Sequence, residues 1–124
     1  LHLLLVEDNA LNAEIAAALL ADRGVSVELA RDGSEAVRMF REAPAGTYAG
    51  IIMDIMMPVM DGLTATRAIR ALERADAKTI PIIAMTANAF EEDARQCLAA
   101  GMNVHLAKPL CMEELVATLA RLCT

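Results

Sequence analysis

The sequence predicts a doubly wound α/β domain: a five-stranded parallel sheet with helices on both faces. Three observations lead there. Short aliphatic runs alternate five times with longer stretches of helical spacing. The runs are almost continuously apolar, as strands buried on both faces require. A length of 124 residues with 56% hydrophobic content suits one core-forming domain. Right-handed crossovers between parallel strands then place helices on either side of the sheet.

The elements follow in order. The run Leu3–Val6 precedes a helix over about 11–23, whose Leu11, Ile15 and Leu19 share a face, and Gly24 stands where its C-cap belongs. Val25–Ala30 is the second strand, and Asp32 with Glu35 has capping-box spacing ahead of the second helix. The stretch 42–49, with Pro44 and Gly46, reads as a loop before the third strand, Ile51–Met53. A second loop over 75–81 leads to the fourth strand, Ile82–Met85. The next helix is expected over about 88–100, with Phe90, Ala94, Cys97 and Leu98 aligned and Gly101 as its C-cap. Val104–Ala107 is the fifth strand, followed by a last helix.

Charge and composition exclude several function classes. A net charge of −6 repels phosphate backbones and removes the counterion release that drives nucleic-acid binding, so no direct nucleic-acid contact is expected. The longest apolar run, Ile15–Ala21, is far short of the roughly 18 residues of a membrane span, so no membrane contact is expected either. Cys97, Cys111 and Cys123 have neither CxxC nor metal-ligand spacing and read as reduced thiols of a cytoplasmic domain. The chain opens on Leu1 with no leader pattern, which suggests a single domain over 1–124 taken from a longer, in some architectures membrane-anchored, protein.

Ligands of open α/β sheets bind beyond the carboxyl ends of the strands, so the residues that follow each run matter most. They are Glu7 and Asp8 after the first, Asp54 after the third, Thr86 after the fourth and Lys108 after the fifth. Arg31 and Asp32 end the second, which is expected at the sheet edge, away from the crevice. Taken singly, an acidic pair is a solvated helix start, a Thr is an N-cap and a Lys is a surface charge. Asp54 is different, because a lone carboxylate between Ile51-Ile52-Met53 and Ile55-Met56-Met57 is costly without a metal or cation partner. Together the residues form a coherent set. Three carboxylates attract a hard divalent cation such as Mg²⁺, a carboxylate can attack phosphorus, and a hydroxyl and an ammonium can hold the other phosphoryl oxygens.

With these residues in place, the chain resembles the receiver domains of two-component response regulators along essentially its whole length. The matching stretches are Leu5-Val6-Glu7-Asp8-Asn9, Met53 through Gly62, Ala84-Met85-Thr86-Ala87 and Ala107-Lys108-Pro109. The resemblance implies the flavodoxin-like strand order 2-1-3-4-5 and makes Asp54 the acceptor of a phosphoryl group from a histidine kinase or histidine phosphotransfer domain. It implies Mg²⁺, with Mn²⁺ as the alternative ion, bound by Asp8, Asp54 and the backbone carbonyl of Met56, with Glu7 acting through water. It places Thr86 and Lys108 on the phosphoryl group, a cis peptide at Lys108-Pro109, and Met56 and Asn88 beside the path of the hydrolytic water. It also implies a signalling surface built from the helix over 88–100, the fifth strand and the last helix, reached through Thr86 and the residue three before the Lys. That switch position is usually Tyr or Phe; here it is His105, a side chain that can rotate and hydrogen-bond but also serves as passive packing.

The implied catalysis is limited to the domain's own phosphorylation and dephosphorylation. Val6-Glu7-Asp8-Asn9, Thr86-Ala87-Asn88-Ala89 and Ala100-Gly101-Met102-Asn103 look most like receivers of hybrid sensor histidine kinases, with a stand-alone regulator or one carrying an output domain as alternatives. A haloacid-dehalogenase-like phosphotransferase needs an Asp two residues after its nucleophile, where Met56 stands. A dinucleotide-binding module needs glycines where Glu7-Asp8-Asn9-Ala10 stands.

Overall fold

Parallel pairing runs through all five strands, in the order β2-β1-β3-β4-β5. The computed structural model describes residues 2–54, 61–86, 91–107 and 112–123. The strands are β1 (His2–Val6), β2 (Ser26–Ala30), β3 (Gly50–Asp54), β4 (Ile82–Thr86) and β5 (Val104–Ala107). The helices among the described residues are α1 (Ala10–Ala21), α2 (Gly33–Glu42), α3 (Gly62–Arg70), α4 (Ala75–Thr79), α5 (Glu91–Ala100) and α6 (Met112–Cys123). This is the doubly wound, flavodoxin-like order expected from the sequence.

Side-chain alternation along the strands divides the core into two layers. Leu4, Val6, Ile51, Met53, Ile82 and Ala84 pack with α2, α3 and α5 through Phe40, Ile69 and Cys97. Leu3, Leu5, Ile52, Ile83 and Met85 pack with α1 and α6 through Leu20, Leu115 and Leu119. Each fully buried Leu or Ile contributes about 1.5–3 kcal/mol, so the sheet is a rigid platform whose upper edge can hold charged groups in fixed positions.

The helix ends follow their local chemistry. Asp32 caps α2, its carboxylate accepting from the Glu35 amide at 2.8 Å, and Asp61 caps α3 through the Thr64 amide at 2.8 Å. Gly24 and Gly101 take positive φ, 78° and 110°, just past α1 and α5, as their expected C-cap roles require.

Leu11, Ile15 and Leu19 share a face of α1 as expected, and that face points outward, at 65%, 51% and 44% exposure, while Ala13 and Leu20 face the core. With only Asn12 and Glu14 polar in α1, apolar spacing could not choose a side, and the alanine face allows closer approach to the sheet. Two other expectations are corrected. In α5, Cys97 is buried while its neighbour Leu98 is exposed, because adjacent helical residues lie about 100° apart around the axis. The stretch expected as a loop over 75–81 contains α4, which is too short for a periodic signal. Its start is held by Arg74, bidentate to Asp76 at 2.9 and 2.7 Å, with further donation to the carbonyls of Phe40 and Ala43, both at 2.9 Å. The Asp76 carboxyl is held below its ordinary value by the hydrogen bonds from Arg74.

Candidate functional site: an acidic cluster at the strand ends

Register builds the site. Val6 pairs with Met53, so Glu7 and Asp54 are neighbours one step further along β1 and β3, at the carboxyl end of the sheet. Asp54 closes the central strand and pairs with Met85 of β4. Its carboxylate is nearly buried, at 3% residue exposure, and so is that of Glu7. Carboxylate oxygens of Glu7, Asp8 and Asp54 all lie within 4.8 Å of one another. The turn that leads into α1 orders this cluster: the Asn9 amide donates to Glu7 Oε1 at 3.2 Å, and the Asn9 side chain caps α1 by accepting from the Asn12 amide at 3.0 Å.

Three close carboxylates repel one another and offer only hard oxygen donors, so the cluster fits a divalent cation of the Mg²⁺ or Mn²⁺ type and lacks the nitrogen or sulfur ligands favoured by softer metals. The buried carboxylate at the end of a central strand is also placed as a nucleophile for an electrophile that enters from the open end of the sheet. A matching domain model for the response regulator receiver domain covers residues 3–120. The chain belongs to the response regulator receiver domain family.

This receiver is similar to hybrid signal transduction histidine kinase G of Dictyostelium discoideum, 45% identical over 93% of the chain. It spans 3% of the length of that kinase, and between 3% and 17% of the first curated relatives it matches. Among solved structures, a receiver domain of a sensor histidine kinase from Pseudomonas aeruginosa PAO1 is 45% identical, with a TM-score of 0.87 over 98% of this chain and 96% of that one. That structure holds a magnesium ion coordinated in the active site cleft. The receiver domain of Saccharomyces cerevisiae Ssk1, crystallised with the histidine phosphotransfer protein Ypd1, is 30% identical with a TM-score of 0.86, over 99% of this chain and 88% of that chain.

The structure thus brings together three of the residues singled out from the sequence. Thr86 ends β4, paired with Ala107 at the end of β5. The side chain of Thr86 lies outside the described residues, as do Met56, Asn88 and Lys108 with its Lys108-Pro109 bond. His105 pairs with Ala84, one register row before Asp54 and two strands away. Its Nε2 is buried and has no hydrogen-bond partner among the described residues. No helix among the described residues is long and apolar enough to cross a membrane.

Two features of the site escaped the sequence. Arg31 was expected away from the crevice, yet a groove of about 340 Å³ has Arg31 in its wall together with Glu7, Asp8, Glu14 and Glu35. The reason lies in the register: Val6 pairs with Ala30 and the Glu7 amide donates to the Ala30 carbonyl at 3.0 Å, so Arg31 follows directly beside Glu7. The second is the exposed Leu11, Ile15 and Leu19 stripe, which begins three residues after Asp8.

Proposed function

We propose that this receiver is the phosphoacceptor module of its phosphorelay, with Asp54 taking a phosphoryl group from a phosphohistidine and Mg²⁺ as cofactor. The observation that carries this reading is the three-carboxylate cluster within 4.8 Å around a nearly buried Asp54. In the transfer, the phosphorus–nitrogen bond of the phosphohistidine breaks and a phosphorus–oxygen bond to Asp54 forms; the departing imidazole keeps the electron pair and takes up a proton. A bound divalent ion would neutralise charge on the transferred group. Asp8, Asp54 and the Met56 backbone carbonyl are assigned as its direct ligands, with Glu7 acting through water. Thr86 and Lys108 hold phosphoryl oxygens, and Met56 and Asn88 govern the approach of the hydrolytic water.

The response follows from His105, whose Nε2 has no hydrogen-bond partner among the described residues. The buried Nε2 of His105 carries an unmet hydrogen bond, so a rearrangement that lets Thr86 move toward the phosphoryl group and His105 turn after it would relieve that cost. The signal then appears on α5, β5 and α6. The donor must reach the carboxyl end of the sheet, and the exposed Leu11, Ile15 and Leu19 stripe beside that end suits an apolar helical face of a histidine kinase or histidine phosphotransfer domain. The parent chain is assigned as a hybrid sensor histidine kinase, supported by the likeness to such kinases.

Treatment with acetyl phosphate tests this reading. One phosphoryl adduct should appear by intact mass with Mg²⁺ and be lost in Asp54→Asn; an adduct that persists in Asp54→Asn would overturn it. Ile15→Glu should slow transfer from a phosphorylated histidine phosphotransfer protein by about tenfold or more, while labelling by acetyl phosphate stays unchanged.

A further inference from the structure

The described arginines differ in how they are held. Arg70 donates to the carbonyls of Gly101 and Ala77 and to Asn103 Oδ1, at 2.9–3.0 Å, and Arg74 is tied to Asp76 and the end of α2. Both are structural. Arg31 is exposed and makes no ion pair or side-chain hydrogen bond among the described residues, although it shares a groove wall with Glu7, Asp8, Glu14 and Glu35. Among the described residues that line that groove it is the sole cation. The register places it one strand from Glu7 on the side away from Asp54, so Glu7 stands between the two.

We propose that Arg31 is a tethered counter-ion that competes with the divalent cation for the acidic cluster and so sets the ion affinity of the site. The proposal rests on the reading of Glu7, Asp8 and Asp54 as that ion's site. A long side chain without a fixed partner, beside a concentration of negative charge, spends time near that charge. With the ion absent, Arg31 offsets part of the repulsion among the carboxylates; with the ion bound, the same positive charge opposes it. Both effects weaken ion binding. A single charge within about a Debye length of a divalent ion changes its affinity about two- to fivefold at low ionic strength, and added salt screens the effect.

Mg²⁺ titration of the protein by calorimetry tests this, at low and at high salt, without reference to phosphorylation. Arg31→Gln should bind Mg²⁺ about two- to fivefold more tightly than the parent protein at low salt, with the gap closing at high salt. Arg31→Lys, which keeps the charge, should stay close to the parent. Arg67→Gln removes an exposed cation on α3, outside the groove, and should change binding much less than Arg31→Gln does. Unchanged or weaker binding in Arg31→Gln would overturn the proposal, as would Arg31→Lys behaving like Arg31→Gln. Absence of saturable Mg²⁺ binding in the parent protein would overturn the ion-site reading itself and the role of Arg31 with it. A parent that binds Mg²⁺ beside an indifferent Arg31→Gln would overturn Arg31 alone.

Discussion

Thr66→Val should stabilise this protein, a result opposite to the usual effect of changing a buried residue. Thr66 is fully buried on α3, and its Oγ1 has no hydrogen-bond partner among the described residues. Leaving a hydroxyl buried and unpaired costs about 1–3 kcal/mol, and valine replaces it with a methyl of nearly the same shape. Thr and Val have similar helix propensities, so the backbone term cancels. The expected gain is about 1–2 kcal/mol, or about 4–8 °C in Tm for a chain of this size. Thr118 supplies the control. It is also buried on a helix, but its hydroxyl donates to the Glu114 carbonyl at 2.8 Å. Thr118→Val should therefore be neutral or cost up to about 1 kcal/mol. Urea unfolding of both variants, with m-values unchanged, makes the comparison. A Thr66→Val midpoint at or below that of the parent protein, or equal shifts in the two variants, would refute the reasoning.

Asp8→Asn should weaken Mg²⁺ binding by about tenfold or more, because it removes one carboxylate charge from the acidic cluster. Asp32→Asn should weaken binding much less, since Asp32 lies outside the cluster and Asn caps α2 equally well; calorimetric titration of both variants compares them. Burial, reinforced by the hydrogen bond to Glu28, raises the Tyr48 phenol to about 12. A raised value means that the folded state keeps its proton after the unfolded chain has lost it, so this contribution to stability is intact below pH 10 and is lost as pH rises from about 10 to about 12. Tyr48 is the chain's single tyrosine, so phenolate absorbance followed against pH reads it directly, and Tyr48→Phe should flatten the alkaline fall in stability. Met56→Gln should change the rate of phosphoryl loss more than the rate of labelling by acetyl phosphate, because an amide can orient a water where a thioether hardly does; time-resolved intact mass measures both.

The sheet was legible because its strands are short, apolar and bounded by residues with distinct local chemistry. Asp32, Gly24 and Gly101 mark helix ends through capping and positive φ, and each does so in the structure. The acidic cluster was legible for a related reason: Asp54 conflicts with its apolar surroundings, and such a conflict points to a partner. What sequence could not supply was orientation. The face of α1 that meets the sheet was hidden by a helix that is apolar on most sides. Arg31 lay unread because its neighbour, Glu7, is set by pairing between strands 20 or more residues apart in sequence. The helix α4 depends on Arg74 reaching back to the end of α2, which no local pattern encodes.

Locating the phosphoryl group within the chain tests the central claim most directly. After treatment with acetyl phosphate and Mg²⁺, borohydride reduction converts an acyl-phosphorylated aspartate into homoserine, which peptide mass mapping locates. The converted residue should be Asp54, with Glu7 and Asp8 unmodified. Conversion at any other carboxylate, or labelling that proceeds equally well with Mg²⁺ removed by chelation, would contradict the assignment of Asp54 as the acceptor in a cation-dependent site.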